Sequence, residues 1–337
     1  MLSYPLFGAR EALGRERREF ITLLGGAAMT WPLAARAQQL VDKFPKIGFL
    51  QGVQNENVVA FIQALEAAGY TDGQNVRIET RIYGTMLDRL GELARELADL
   101  PCSAIVAAAP YAIRAATGAT STIPIVGIDL ESDPVASGWA KSLSRPGGNL
   151  TGLFLDIPEL GGKQIELLRE AVPTLSRLGV LWDATIGAVQ FRATEAAARS
   201  TGIELHSLPI RRAGDLDGVF DRAVSERVDG VVILSSPLIN GERLHIAELA
   251  LKNRLPTISL FTEFPKSGAL MAYGPNLPDM YRRAAIYVDR VLKGAKASDL
   301  PIERPSRFEL EINLKTARAL DVEVPPTLLA RTDEVIE

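Results

Sequence analysis

The sequence IPIVGIDLESDPVASGWAKSLSRPGGNLTG, residues 123–152, decides the fold that we predict for this chain. It begins with a short apolar strand ending at Asp129, continues through an acidic turn and a short helix, and crosses a Pro-Gly-Gly corner into a second apolar run. Ligands of open parallel sheets bind at the carboxyl ends of the strands, so Asp129 lies at a candidate cleft. The corner, Arg145 to Gly148, has the backbone freedom needed to leave one lobe and enter another, and we interpret it as a hinge.

Length and composition indicate a globular protein of two domains. The chain has 337 residues, of which 47% are hydrophobic and 23% charged, and a domain usually takes roughly 100–200 residues. The net charge of -4 and the lack of a basic cluster after residue 40 argue against nucleic-acid binding. Cys102 is the only cysteine, so it can form neither an intrachain disulfide nor a cysteine-based zinc site, and we interpret it as a buried apolar residue.

The first 37 residues have the pattern of a twin-arginine export leader. Arg17-Arg18 precedes the weakly apolar stretch ITLLGGAAMTWPLA, and a small-residue cleavage site, Ala35-Arg36-Ala37, follows it. The apolar stretch is shorter than the ~20 residues that span a bilayer. We therefore expect cleavage after Ala37 and a periplasmic mature protein.

Apolar runs that fit strands alternate with segments of helical periodicity through the rest of the chain, which predicts parallel sheets covered by helices on both faces. The predicted fold class is α/β, with two Rossmann-like doubly wound lobes joined by hinge crossovers. Residues 38–150 would form the N-terminal lobe and residues 151–275 the C-terminal lobe. A long helix within about 276–305 would return to the N-terminal lobe, and 306–337 would be a covering tail.

The candidate ligand-binding residues follow the carboxyl ends of the predicted strands. A helix beginning at Pro110 would offer backbone N–H groups to a ligand carboxylate, and an aspartate could hold a ligand ammonium. Simpler roles exist for several of these residues: Asp133, Ser235 and Ser236 could be helix caps, and Tyr273 could belong to the core. The complete set is Gln51, Gly52, Ala109, Pro110, Tyr111, Asp129, Asp133, Asp183, Ser235, Ser236, Phe261 and Tyr273.

Several segments resemble, in order, signature positions of the exported ABC-transporter substrate-binding proteins, a family that includes aromatic amino-acid binders of the tryptophan-uptake type. They include Gly73-Gln74-Asn75-Val76, Asp133-Pro134-Val135, Arg145 to Gly152 and Phe308 to Ala317. The resemblance implies a periplasmic-binding-protein-like type I fold, a small organic ligand of the amino-acid or aromatic-acid class, an inner-membrane ABC permease as partner, and a monomer. At residues 109–112 the chain has Ala-Pro-Tyr-Ala where the family commonly has a Thr-Pro-Ala type sequence, which favours an aromatic or altered ligand.

Enzyme classes with recognisable motifs find no match in the sequence. It has no phosphate-binding G-x-x-x-x-G-K-[ST], no G-x-S-x-G and no H-E-x-x-H. His206 and His245 have no acidic or cysteine partner at metal-ligand spacing, so we expect no cofactor, no metal and no catalysis. The alternative function is a ligand-binding receptor subunit for a sensor or chemotaxis partner.

Overall fold

The computed structural model describes residues 44–337 except 53, 85, 186 and 187. The predicted leader, residues 1–37, lies outside the described residues. Within them, two sheets with helices on both faces form two lobes, which confirms the predicted α/β class. None of the helices in this described part is long and apolar enough to cross a membrane.

Twelve strands are present in the described part of the chain. The first sheet has the order β2-β1-β3-β4-β5 and the second the order β12-β11-β10-β9-β8-β6-β7. The strands are β1 Lys46–Gln51, β2 Arg77–Ile82, β3 Cys102–Ala108, β4 Ile125–Asp129, β5 Leu150–Phe154, β6 Arg177–Asp183, β7 Glu204–Ile210, β8 Gly230–Ile233, β9 Thr257–Ser259, β10 Met271–Pro275, β11 Phe308–Asn313 and β12 Glu334–Ile336.

The helices connect these strands in the manner that the apolar periodicity predicts. They are α1 Glu56–Ala67, α2 Leu90–Asp99, α3 Pro110–Ala119, α4 Ile157–Ala171, α5 Val189–Thr201, α6 Leu216–Ser225, α7 Pro237–Gly241, α8 Arg243–Lys252, α9 Glu263–Lys266, α10 Leu277–Leu292, α11 Leu314–Ala319 and α12 Pro326–Leu329. We call the β1–β5 sheet with α1, α2, α3 and α10 the first lobe, and the other sheet with its helices the second lobe.

The first sheet is parallel throughout, and its strands β1, β3, β4 and β5 are buried on both faces, whereas the edge strand β2 is partly exposed. Phe49 and Phe61 pack with Tyr287 and Val288 of α10 on one face, and α2 and α3 cover the other. Parallel strands covered in this way consist of nearly continuous apolar residues. The late helix α10 therefore completes the core of the first lobe, although it follows the second-lobe strands in sequence.

The corner at 145–148 does not carry the chain out of the first lobe, which corrects our interpretation of it as a hinge. The run after it, Leu150–Phe154, is β5 and pairs in parallel with β4 along its whole length. Gly152 has φ 132°, and a Cβ there would lie 2.0 Å from the backbone oxygen of Gly127. A Pro-Gly-Gly sequence predicts a turn but cannot indicate which sheet the next strand will join.

The segment 306–337, predicted as a covering tail, instead extends the second sheet. β11 pairs antiparallel with β10, and β12 pairs in parallel with β11. Leu310 and Ile312 lie in the core of the second lobe, so these strands are held by burial as well as by hydrogen bonds. This strand pair also makes the second sheet mixed, whereas the prediction was an entirely parallel one.

Three crossing segments, at 155–156, 276 and 304–307, connect the lobes within the described chain. The Arg304 guanidinium donates to the backbone oxygens of Phe154, at 3.2 Å, and of Leu155. The backbone N–H of Asn276 donates to the oxygen of Arg307 at 3.0 Å. The three segments are therefore bonded to one another, an arrangement that favours one common hinge over separate ones.

Gly152→Ala should destabilise the protein by about 3 kcal/mol or more, because its Cβ meets backbone at a positive φ. Urea unfolding followed by circular dichroism measures this loss. Gly148→Ala is the matched control, since its Cβ would have no neighbour closer than 3.8 Å. Equal stability of the two variants would contradict the close β4–β5 contact.

Candidate functional site

The main cavity lies between the two lobes and has a volume of about 220 Å³. Its first-lobe wall comes from the carboxyl ends of the strands: Gln51 and Gly52 after β1, Tyr83 after β2, Ala109 and Pro110 after β3, and Glu131 after β4. The second-lobe wall includes Asn240, Phe261 and Glu263, and α10 adds Leu277 and Tyr281. The cavity therefore occupies the position where open α/β sheets bind their ligands.

The loop between β3 and α3 brings a helix N-terminus to this cavity. Ala109 caps α3 with φ 81° and ψ 155°, a region of backbone conformation that is essentially restricted to glycine. Its N–H donates to Ile128 at 2.9 Å and its carbonyl accepts from Ile113 at 3.1 Å, which holds the conformation. Pro110 occupies the first turn, so the N–H groups of residues 111 and 112 are the free donors of this helix end.

Glu131 reaches across the cleft. Its Oε1 accepts a hydrogen bond from Ser235 Oγ of the second lobe at 2.5 Å, and its Oε2 is buried with no partner. Asp129, at the end of β4, accepts from the Glu131 backbone N–H at 2.8 Å and from the Ser132 hydroxyl. The fully buried Asp129 thus fixes the turn that directs Glu131 into the main cavity.

The pKa of Glu131 is raised to about 8, chiefly by burial and also by the negative charges of Asp129 and Asp183, against the opposing effect of the Ser235 hydrogen bond. Burial also raises the pKa of Asp129 to about 6, although its hydrogen bonds to Ser132 and to the turn oppose this. Two neighbouring carboxyl groups in a site of low polarity resist double ionisation. At neutral pH Glu131 therefore carries the proton in the absence of a cation.

Several buried oxygen atoms on the cavity wall have no hydrogen-bond partner among the residues that the structure describes. They are Gln51 Oε1, Asn57 Oδ1, Glu131 Oε2, Asn240 Oδ1 and Glu263 Oε2. A buried acceptor without a donor costs about 1–3 kcal/mol, so such a group needs a partner to be explained. No basic side chain is among the described residues that line the cavity. The wall therefore suits a ligand that supplies N–H donors and positive charge.

The structure brings five of the predicted residues to the cavity wall: Gln51, Gly52, Ala109, Pro110 and Phe261. Two others, Asp129 and Ser235, act through Glu131.

The remaining predicted residues have contacts elsewhere. Asp133 accepts from the N–H groups of Val135 and Ala136, and Ser236 caps α7 through Ile239. Asp183 accepts from Thr185, Tyr273 stacks on Phe308 at a centroid distance of 5.5 Å, and Tyr111 packs on the first-lobe core with its hydroxyl unpartnered. For Ser236 and Tyr273 these contacts match the simpler roles considered for them. Asp133 caps a turn and not a helix, because the structure has no helix between β4 and β5, where the sequence predicted a short one.

Sequence reasoning did not select the side chain that reaches across the cleft, Glu131. It lies two positions beyond the end of a strand, where we chose Asp129 instead. The available signal was the acidic triplet Asp129, Glu131 and Asp133. Because the chain turns after Asp129, the three carboxylates do not all face the cavity. Tyr281 and Asn240 lie on helices far away in sequence, and no local pattern points to them.

Comparison with known proteins agrees with this architecture. The crystal structure of an ABC domain in complex with L-Trp from Streptococcus pneumonia superposes with a TM-score of 0.79 at 22% identity, covering 87% of this chain and 100% of that one. The crystal structure of a conserved domain protein from Vibrio cholerae superposes with a TM-score of 0.78 at 24% identity, with the same coverage of both chains. A tyrosine-binding protein of Clostridioides difficile is 26% identical over 289 residues, 83% of this chain and 82% of that protein.

Two α/β lobes with a ligand cavity between them define a binding protein of the periplasmic-binding-protein-like type I fold. Residues 51–336 match the family described as ABC transporter substrate binding protein. The match covers most of the chain, and the protein belongs to this family.

Ala109→Gly should raise the free energy of unfolding by about 1 kcal/mol, because glycine adopts the observed backbone angles without strain. Ala115→Gly, inside α3, is the matched control and should lower it by about 1 kcal/mol. Urea unfolding measures both changes. A loss of stability in Ala109→Gly equal to that of the control would show that the backbone at residue 109 is not strained.

Proposed function

We propose that this protein is the solute-binding component of an ABC uptake transporter, which captures a small zwitterionic ligand of the amino-acid class and delivers it to an inner-membrane permease. The observation that carries the proposal is Glu131, a buried carboxyl group on the wall of the interlobe cavity that also bonds the opposite lobe. The leader predicted from the sequence supports a periplasmic location.

The first lobe offers complementary partners for the two charges of an amino acid. The N-terminus of α3 presents free N–H groups and a positive dipole end, which favour a carboxylate. Glu131 offers an unpartnered Oε2 to an ammonium. Phe261 and Tyr281 supply apolar wall for the carbon skeleton. The names of the relatives support the same class, since one is a tyrosine-binding protein and another was crystallised with L-Trp.

Closure of the lobes provides the mechanism of capture. A ligand that contacts both lobes only in the closed form shifts the population towards that form by its differential affinity. The hydrogen bond between Glu131 and Ser235 joins the same two lobes, so a ligand bound at Glu131 acts directly on the closed arrangement. The closed lobe pair is the form that a permease would recognise.

Glu131→Gln should weaken the binding of an amino-acid ligand by about 30-fold or more, because losing one partner of a buried charge pair costs about 2 kcal/mol or more. Thermal-shift screening of the standard L-amino acids selects the ligand, and titration calorimetry measures its affinity. Asp133→Asn is the control on the same loop and should change affinity by less than about twofold.

Two results would count against the proposal in different ways. Unchanged affinity in Glu131→Gln would remove the role of Glu131 in holding an ammonium. If no amino acid raised the melting temperature of the unmodified protein, the proposed ligand class itself would be wrong.

Affinity should also depend on pH. Because the pKa of Glu131 is raised to about 8 and only the ionised form pairs with an ammonium, affinity should rise with pH from 6 to 8 and level off above that. The slope should be at most about tenfold per pH unit, with one proton released on binding below pH 8. Calorimetry in buffers of different ionisation enthalpy measures that proton.

Asp129, Asp183 and Tyr83 also face Glu131, but only Glu131 should account for this proton release. The Glu131→Gln variant should therefore release no proton in the same buffers. Affinity that is constant from pH 6 to 8 in the unmodified protein would contradict the pairing.

A further inference from the structure

A second chamber of about 190 Å³ adjoins the main cavity. The two share Asn57, Phe261, Glu263 and Leu277 as wall residues, so they meet at one junction. The second chamber lies between the N-terminus of α1, the crossing at Asn276 and the β11–β12 edge of the second sheet. Phe261 and Glu263 therefore lie on the boundary of both chambers.

The second chamber is strongly acidic. Its ionisable lining consists of five glutamates and one lysine, namely Glu56, Glu263, Glu309, Glu311, Glu334 and Lys266. Lys266 Nζ forms ion pairs with Glu311 Oε1 at 3.5 Å and with Glu334 Oε2 at 3.3 Å. Glu309 accepts from the Asn276 side chain at 2.5 Å. After these pairs are counted, Glu263 has no basic partner among the described residues of either cavity.

Buried oxygen atoms without donors point into this chamber as well. Glu311 is only 4% exposed and its Oε2 has no hydrogen-bond partner, in spite of the nearby lysine. Asn57 is 7% exposed with Oδ1 unpartnered, and Glu263 Oε2 is likewise buried and unpartnered. Asn57 and Glu263 line both chambers, whereas Glu311 lines the second chamber alone. Unpartnered acceptors are therefore present at the junction and in the second chamber.

Burial of these acceptors has an energetic consequence. An apolar ligand end would leave each of them unsatisfied, whereas an ammonium or guanidinium donates several hydrogen bonds and also carries the charge opposite to that of the carboxylates. Burial raises the pKa of Glu311 to about 7, and the charge of Glu334 adds to this effect while Lys266 opposes it. A cation bound in the chamber would favour the ionised form of Glu311, just as at Glu131.

We propose that the second chamber is a subsite for a second cationic group, so that the ligand is an amino acid with a basic side chain. This inference rests on the proposed function: the α-ammonium and carboxylate bind in the main cavity, and the side chain passes the junction at Asn57 and Glu263. Its terminal ammonium or guanidinium then lies between Glu263 and Glu311.

Matched pairs of probes test the charge of the side chain alone. L-arginine carries a guanidinium group where L-citrulline carries a neutral urea group. L-lysine carries a terminal ammonium group that L-norleucine lacks. Calorimetry with the purified protein should show at least one basic member binding tenfold or more tightly than its neutral counterpart. Equal or tighter binding of both neutral members would overturn the proposal.

Variants locate the effect in the second chamber. Glu263→Gln and Glu311→Gln should each weaken the basic ligand tenfold or more while changing the affinity of its neutral counterpart by less than about threefold. Glu248→Gln, which removes the same charge from the exposed face of α8, should leave both affinities within about twofold. Melting temperatures show whether Glu311→Gln folds. Glu263→Gln tests independently whether the second chamber binds the charged side chain. Equal losses for basic and neutral ligands in Glu263→Gln would overturn the subsite.

The two proposals fail in distinguishable ways. If a neutral or aromatic amino acid binds and the basic ones do not, the subsite is wrong while the proposed function stands. If no amino acid binds, basic or neutral, both are wrong.

Discussion

A single buried carboxyl group, Glu131, is hydrogen-bonded across the cleft between the two lobes. Asp129 accepts a hydrogen bond from its backbone N–H, and Ser235 of the opposite lobe donates one to its Oε1. Its Oε2 has no donor among the described residues. Burial and the neighbouring carboxylates raise the pKa of this group. Under the proposed function, closure, proton release and ligand charge are coupled at this one side chain.

The remainder of the cleft follows the same electrostatic pattern. Carboxylates outnumber basic side chains on the walls of the main cavity and the second chamber. Among the described residues that line them, Lys266 is the one basic side chain. The positive end of α3 is the counterpart that makes the site suitable for a zwitterion. A cleft of this kind selects ligands by charge distribution as well as by shape.

Sequence reasoning found the two-lobed α/β architecture because strands buried on both faces leave uninterrupted apolar runs, as in β3 and β8. It placed Gln51, Ala109 and Phe261 correctly at the carboxyl ends of the strands, because topology alone decides which strand ends meet. It could not decide sheet membership, and so β5 and β11 were misplaced, since pairing depends on partners far away in sequence. It also could not choose between Asp129 and Glu131, because the turn after β4 decides which side chain enters the cavity.

The position of α10 also affects how the chain must fold during synthesis. Phe49, Phe61 and Val106 pack against this helix, which begins only at residue 277, and the second sheet is completed by strands beyond residue 307. The first lobe can therefore bury this core only once residues 277–292 have been synthesised, which is after the strands β6 to β10 of the second lobe.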